Sequence, residues 1–339
     1  MDNPIKVFRG KYLESTHQIH VAVVNVKGEL LYSFGDPNRL TFPRSSMKPF
    51  QAVAVVETGA ADAFQYDESE LSLICASHNG EPIHRNAVAR ILDRIDLMEN
   101  ALQCGTHIPR DIDSYNKLIR NGGELTPVFS NCSGKHSGML TAAVYMNEDV
   151  HTYRDIKHPH QQRILDVIEE VCGFPKNDLE ISVDGCGVPV HQLPLQNTAL
   201  GFARLADPLG WMPSDRARYL ERIRNAMTKH PEMVGGTDRF DTDLMKVFNR
   251  RLVAKAGAEG VQCIGDSKTG LGIAIKVEDG NGRAASVAAM EVLKQLGICD
   301  EEKYGELIQY ADAPVLNARK DTIGRITADF KLHSYAGAR

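Results

Sequence analysis

Cysteine is scarce in this chain, seven in 339 residues, odd in number and scattered along the sequence. Small secreted domains stapled by disulfides carry dense, even sets, so these thiols are expected to be reduced. Long apolar runs are missing too: no stretch approaches the roughly 18 uninterrupted apolar residues of a membrane span. The start, Met1-Asp2-Asn3-Pro4-Ile5-Lys6-Val7-Phe8-Arg9, lacks the apolar core of a signal peptide. A soluble cytoplasmic protein with no membrane partner is expected. Positive charge is not in excess, 39 Lys+Arg standing against 44 Asp+Glu for a net −5, so no global field attracts nucleic acid or anionic lipid. Repeats, linkers and biased segments are also missing, which excludes collagen-like, coiled-coil and low-complexity chains.

What remains is an ordinary globular composition, 42% hydrophobic and 24% charged. At roughly 150 residues per domain the length suits one large domain or two of ordinary size. His20 to Val26 and Glu29 to Phe34 flank Lys27-Gly28 and read as a hairpin. Helices are expected from Ser45 to Gly59, with Pro49 in the first turn, from Asp67 to Ala76, and from Glu81-Pro82 to Ile95. Further helices are expected over Gln161–Cys172, Asp215–Lys229 and Ala284–Leu296, and a strand over Leu271–Val277. Strands at both ends around a helical middle suggest a discontinuous sheet domain, 1–44 with 178–339, and a mainly helical domain, 45–177, with the active site at their interface.

Four groups of residues can carry chemistry. In Ser45-Ser46-Met47-Lys48, a serine three residues before a lysine on a helix puts both side chains on one face. A lysine neutralised by burial or by a second cation can then take the serine proton. The spacing alone is weak, and Ser45 serves equally well as an N-cap. A second match, Ser114 to Lys117, is expected to be surface. Ser77-His78-Asn79-Gly80-Glu81 is a polar loop between apolar helices, able either to face a cleft or simply to cap and turn the chain. Lys268-Thr269-Gly270 precedes the late strand. Together these three read S-x-x-K, S-x-N and K-T-G, the ordered triplet of penicillin-recognising serine enzymes.

The fourth group joins Asn131-Cys132-Ser133-Gly134-Lys135-His136 to Asp184-Gly185-Cys186-Gly187. Two cysteines in tight glycine-rich turns can be thiolate ligands of zinc, with Lys135, His136 and Asp184 completing or supporting the site. The usual C-x-x-C pairs are absent, and buried thiols in packed turns fit the same pattern. Cys75, Cys104, Cys172, Cys263 and Cys299 read as core. Gly235 to Phe240 can bend a charged pair toward a ligand or be locked by its own Asp238–Arg239 pair, and His107 reads as a satisfied structural histidine.

Several blocks resemble one family, the thermolabile rhizobial-type L-asparaginases (class 3, the asparaginase II sequence family). The blocks are Arg9-Gly10 with Glu14-Ser15-Thr16-His17, Arg44 to Gln51, Ala76 to Glu81, Cys104-Gly105-Thr106-His107, Asn131 to His136, Asp184 to Gly187, and Lys268 to Gly280. The resemblance implies an α/β fold similar to serine β-lactamases and glutaminases, a sheet domain plus a helical domain. It implies L-asparagine as substrate, with aspartate and ammonia as products, and a homodimer. It carries over Ser45 with Lys48 and Ser77 with Lys268 as two serine–lysine pairs, and Cys132, Lys135 and Cys186 as holders of one zinc ion per chain. Lys135, His136 and Asp184 would then lie against the substrate, the metal positioning rather than generating hydroxide. Competing readings are a β-lactamase-like or glutaminase-type amide hydrolase, and a non-catalytic zinc or amino-acid binding protein of the same fold.

Overall fold

The computed structural model describes residues 3–211 and 214–335. The chain divides into two compact units, Met1–Ser46 with Leu193–Asp207 and Asp243–Arg339, and Met47–Gln192 with Pro208–Thr242.

The first unit is built on two antiparallel sheets. The larger runs, in spatial order, His333–Ser334, Leu30–Phe34, Ile19–Val24, Leu271–Val277, Val261–Asp266 and Leu252–Gly257. The expected hairpin is present, with Val23 opposite Tyr32 and Val21 opposite Phe34, and Ile19–Val24 lies antiparallel to Leu271–Val277 with Ala22 facing Ala274. These central strands are buried along almost their whole length, so they read as continuous apolar runs rather than alternating ones. Val261–Asp266 is buried at all six positions despite Gln262 and Asp266. Asp266 is held there by a two-pronged pair with Arg251, at 2.8 and 2.7 Å. The helix Leu195–Ala206 lies so close to the sheet that a Cβ on Gly272 would stand 1.9 Å from the Ala199 carbonyl oxygen. The second sheet has the order Ala313–Leu316, Thr322–Ala328, Ile5–Arg9, Tyr12–His17. The helix Gly282–Gln295 packs against both sheets.

The second unit is helical around the short helix Lys48–Val56, all nine residues of which are buried. A helix buried on every side belongs to the interior, and this one packs against Ser133–Tyr145, Pro159–Cys172 and Asp215–Lys229. Glu68–Leu73 starts on a capping box in which Asp67 accepts from the Glu70 N–H and Glu70 reaches back to Asp67. Pro82–Arg94 follows the Ser77–Glu81 loop. Each helix read from periodicity is present within a few residues of its expected ends. The structure therefore has the α/β character expected, a sheet part and a helical part. No helix among the described residues is long and apolar enough to cross a membrane.

Candidate active site

Ser45 lies in a single 3-10 turn, Arg44–Met47, that leads into the buried helix. Arg44 has φ +54°, a left-handed conformation costly for a long side chain, so the backbone is strained one residue before Ser45. Ser45 is not the helix cap: that position is Met47, and it makes no side-chain cap bond. Lys48 opens the helix with its side chain 1% exposed. Its Nζ donates to Ser77 Oγ at 3.0 Å, to Cys132 Sγ at 3.3 Å, to the Asn131 carbonyl at 3.4 Å, and to the Ala76 carbonyl. The ammonium thus turns toward Ser77 and the cysteine turn.

The Ser77 loop is fixed from several sides. His78 Nδ1 accepts from the Gly80 N–H at 3.1 Å, so Nε2 carries the proton and donates to Ser133 Oγ at 2.9 Å. His78 also stacks on His84, ring centroids 4.8 Å apart. Burial drives the His78 pKa well below its ordinary value, with His84 and Lys48 adding repulsion, so the ring is a neutral strut. Beside the loop a cleft of about 950 Å³ is lined by Asn79, Glu81, Arg110, Asp111, Thr237 and Arg239. Arg239 does not simply lock onto Asp238; it donates to the Ser77 carbonyl and to Asn79 Oδ1.

Cys132 immediately precedes the helix Ser133–Tyr145, which places Lys135 one turn along it. Cys186 sits in the turn Asp184–Val188, closed by an Asp184 N–H bond to the Val188 carbonyl and by Gly187 at φ +83°. Lys135, 3% exposed, donates to Cys186 Sγ at 2.9 Å. A proton shared from Cys186 holds the Cys132 pKa well below the thiol range against the cost of burial, with Lys48 and Lys135 assisting. The Cys186 pKa is raised by the same bond and by burial. Burial opposes the charge on Lys135, yet the two sulfurs and Asp184 raise its pKa above the ordinary value. Tyr153 oxygen accepts from the Gln103 N–H, leaving its own proton for His136 Nδ1 at 2.6 Å. His136 Nε2 then carries hydrogen on the side of the Cys186 sulfur and has no bonding partner of ordinary geometry, while burial lowers the ring to about 4. This donor set suits zinc: two sulfurs, one already thiolate-like, and an amine that would bind after losing its proton. No cluster of three His, Cys, Asp or Glu fit for a metal occurs among the described residues, so such a site depends on Lys135.

Lys268 lies exposed in the turn after Val261–Asp266, its backbone N–H donating to Asp266 Oδ1 at 3.1 Å. The fully buried lysine of that unit is Lys255, 0% exposed, on Leu252–Gly257. Its carbonyl accepts from Ser46 Oγ at 3.0 Å and its Nζ donates to the Ala256 carbonyl at 2.7 Å. A Cβ on Gly257 would come within 2.1 Å of the Pro43 carbonyl oxygen, so this strand end abuts the turn that carries Ser45. Lys255-Ala256-Gly257 has the same K-x-G form as the later block, a signal hidden because a lysine inside a strand resembles an outward-facing residue. Ser114 and Lys117 lie on Ile112–Arg120, a helix without buried residues, as expected. His107 accepts from the Asn131 N–H at Nε2 and donates from Nδ1 to the Ile108 carbonyl, both 2.9 Å, a satisfied structural ring. All seven cysteines are unbridged and buried.

A family model described as L-asparaginase II matches residues 5–328. No curated protein matches the sequence. Among solved structures, Mglu in an L-glutamate-bound form is similar at 13% identity and TM-score 0.46, over 85% of this chain and 63% of that one. The chain therefore spans a little under two thirds of that protein's length. A candidate beta-lactamase from Bacteroides dorei is similar at 11% identity and TM-score 0.41, over 82% of this chain and 94% of that one.

Proposed function

The chain belongs to the L-asparaginase II family, a family of amidohydrolases, and we propose that its own substrate is L-asparagine, hydrolysed to aspartate and ammonia through serine–lysine chemistry. The observation that carries this reading is the buried contact of Lys48 Nζ with Ser77 Oγ at 3.0 Å, Lys48 directly following the strained turn that holds Ser45.

An amide is a poor electrophile with a poor leaving group, so the site must supply a nucleophile, a base that later acts as acid, and donors for the oxyanion. Ser45 Oγ attacks the side-chain carbonyl carbon as Lys48 Nζ, which acts in its neutral amine form, takes the Ser45 proton. Lys48 passes a proton through Ser77 Oγ to the amide nitrogen, the C–N bond breaks, and ammonia leaves with an aspartyl ester on Ser45. Water then attacks the ester, giving its proton back along the same groups, and aspartate departs with Ser45 restored. For the second lysine, Lys255 is a better candidate than Lys268, because a lysine acting as base is one withdrawn from water.

One zinc ion held by Cys132, Lys135 and Cys186 would place a fixed positive charge beside the substrate's α-carboxylate. Asp184 would face the α-ammonium, and the His136 Nε2–H would support the Cys186 sulfur. A homodimer, a cytoplasmic location and the thermolabile rhizobial type belong to the same proposal.

The test is covalent. An asparagine analogue bearing an electrophile in place of the amide should label the peptide containing Ser45, and Ser45→Ala should lose both labelling and ammonia release while remaining folded. Labelling at Ser77 instead would exchange the roles of the two serines, and near-normal turnover in Ser45→Ala would reject the nucleophile assignment.

A further inference from the structure

The segment Val234–Arg239 runs beside the Ser77–Glu81 loop as a strap. Ser77 N–H donates to the Val234 carbonyl and Asn79 N–H to the Gly235 carbonyl, both at 2.9 Å. Asn79 Nδ2 donates to the Thr237 carbonyl at 2.8 Å, and the Thr237 N–H donates to Glu81 Oε1 at 2.7 Å. Gly236, at φ +101°, admits no side chain here, since a Cβ would stand 2.6 Å from Glu81 Oε1 and 2.7 Å from Asn79 Nδ2. The strap ends on a cation: Arg239 Nη1 donates to the Ser77 carbonyl at 3.2 Å and to Asn79 Oδ1 at 3.1 Å.

Arg239 therefore grips the backbone of the residue whose hydroxyl meets Lys48. We propose that Arg239 is a positioning residue for the amide hydrolysis, setting Ser77 Oγ against Lys48 Nζ through the Ser77 carbonyl and Asn79. The inference rests on the serine–lysine reading above. With the Ser77 N–H spent on Val234 and its carbonyl on Arg239, the peptide units flanking Ser77 are held at both ends and only the side chain remains for chemistry. A guanidinium suits the task because one planar group can reach two acceptors, which a lysine ammonium does with less directional control.

The experiment compares wild type with Arg239→Gln, Arg239→Lys and Arg239→Gly, measuring ammonia release from asparagine and hydrogen exchange of peptides covering residues 76–80. Misplacement by about 1 Å costs on the order of a hundredfold, so kcat should fall about ten- to a hundredfold in Arg239→Gln while KM stays within about twofold. Exchange of the 76–80 peptides should quicken while the rest of the protein keeps its protection. Arg239→Lys should lie between Arg239→Gln and wild type, and should carry the comparison should Arg239→Gln fail to fold. Millimolar guanidinium, entering by the cleft that Arg239 lines, should restore part of the Arg239→Gly rate. Unchanged kcat, a rise in KM alone, or protected 76–80 peptides in Arg239→Gln would overturn the proposal. Wild type that releases no ammonia from asparagine would reject the substrate reading instead, and the exchange measurement would still decide whether Arg239 holds the loop.

Discussion

Replacing Lys48 with Met keeps most of the buried stem and removes the ammonium. Four groups then lose a donor inside the second unit: the Ala76 carbonyl, Ser77 Oγ, the Asn131 carbonyl and Cys132 Sγ. A buried acceptor left unsatisfied costs about 1–3 kcal/mol. Against this, the ammonium is itself 1% exposed, and an apolar residue of similar volume relieves the desolvation of its charge. The opposing effects leave a net loss of about 1–3 kcal/mol, inside the roughly 5–15 kcal/mol of a typical domain, so the variant stays folded. The effect on turnover is larger, because a positioned general base contributes about 10²–10⁴ in rate, or roughly 3–5 kcal/mol of barrier. Lys48→Arg separates the two effects: it keeps a buried cation but cannot give up its proton at neutral pH, so it should recover stability and not activity. Initial rates of ammonia release and urea midpoints for the three proteins make the comparison. A folded Lys48→Met within tenfold of the wild-type rate, or an active Lys48→Arg, would refute the assignment of Lys48 as base.

Protein purified without chelator should contain about one zinc per chain by metal analysis, as proposed for a site of this donor type; an equal yield from the Cys132→Ser, Cys186→Ser double variant would dismiss the site. His160 is fully buried, neither ring nitrogen has a hydrogen-bond partner among the described residues, and burial lowers its pKa from 6.5 to about 3. The folded pKa lies below the unfolded one, so the unfolded chain binds the extra proton and stability falls as pH drops below about 6.5. Between pH 7 and 5 this one ring should remove about 2 kcal/mol; identical pH dependence in wild type and His160→Leu, read from urea midpoints, would count against it. Gly272→Ala forces a methyl to 1.9 Å from the Ala199 carbonyl oxygen and should cost at least about 1–3 kcal/mol. Gly282→Ala, at a helix start with open space around it, should be neutral or slightly stabilising, and equal midpoints for the two variants would refute the packing argument.

The elements legible in the sequence were those whose environment agrees with their own pattern. Ile19–Val24 and Leu271–Val277 are buried almost throughout and carry unbroken apolar runs; Pro82–Arg94 has one apolar face and a proline start. Leu252–Gly257 and Val261–Asp266 were missed because Lys255, Gln262 and Asp266 break the apolar signal, although all three are buried. Lys255 Nζ and Gln262 Nε2 bond the carbonyls of the next residues, and Asp266 pairs with Arg251, contacts that a hydropathy pattern does not reveal. The site was legible as residue types in motifs but not as a network. Ser45 and Lys48 share a short spacing, whereas the contact of Lys48 with Ser77 and Cys132, like that of Lys135 with Cys186, is made by packing of the second unit. Arg239 stood beside an aspartate that offered the simpler pairing, and its grip on Ser77 appears only when the strap and the loop lie side by side.

The central claim is tested most directly by ammonia release from asparagine and glutamine and by the colour change on ring opening of a chromogenic β-lactam, measured with wild type, Ser45→Ala and Lys48→Met in parallel. Turnover of asparagine above the other substrates, lost in both folded variants, is the predicted result. Turnover that survives in both variants, or wild type that acts on the β-lactam and not on asparagine, would contradict it.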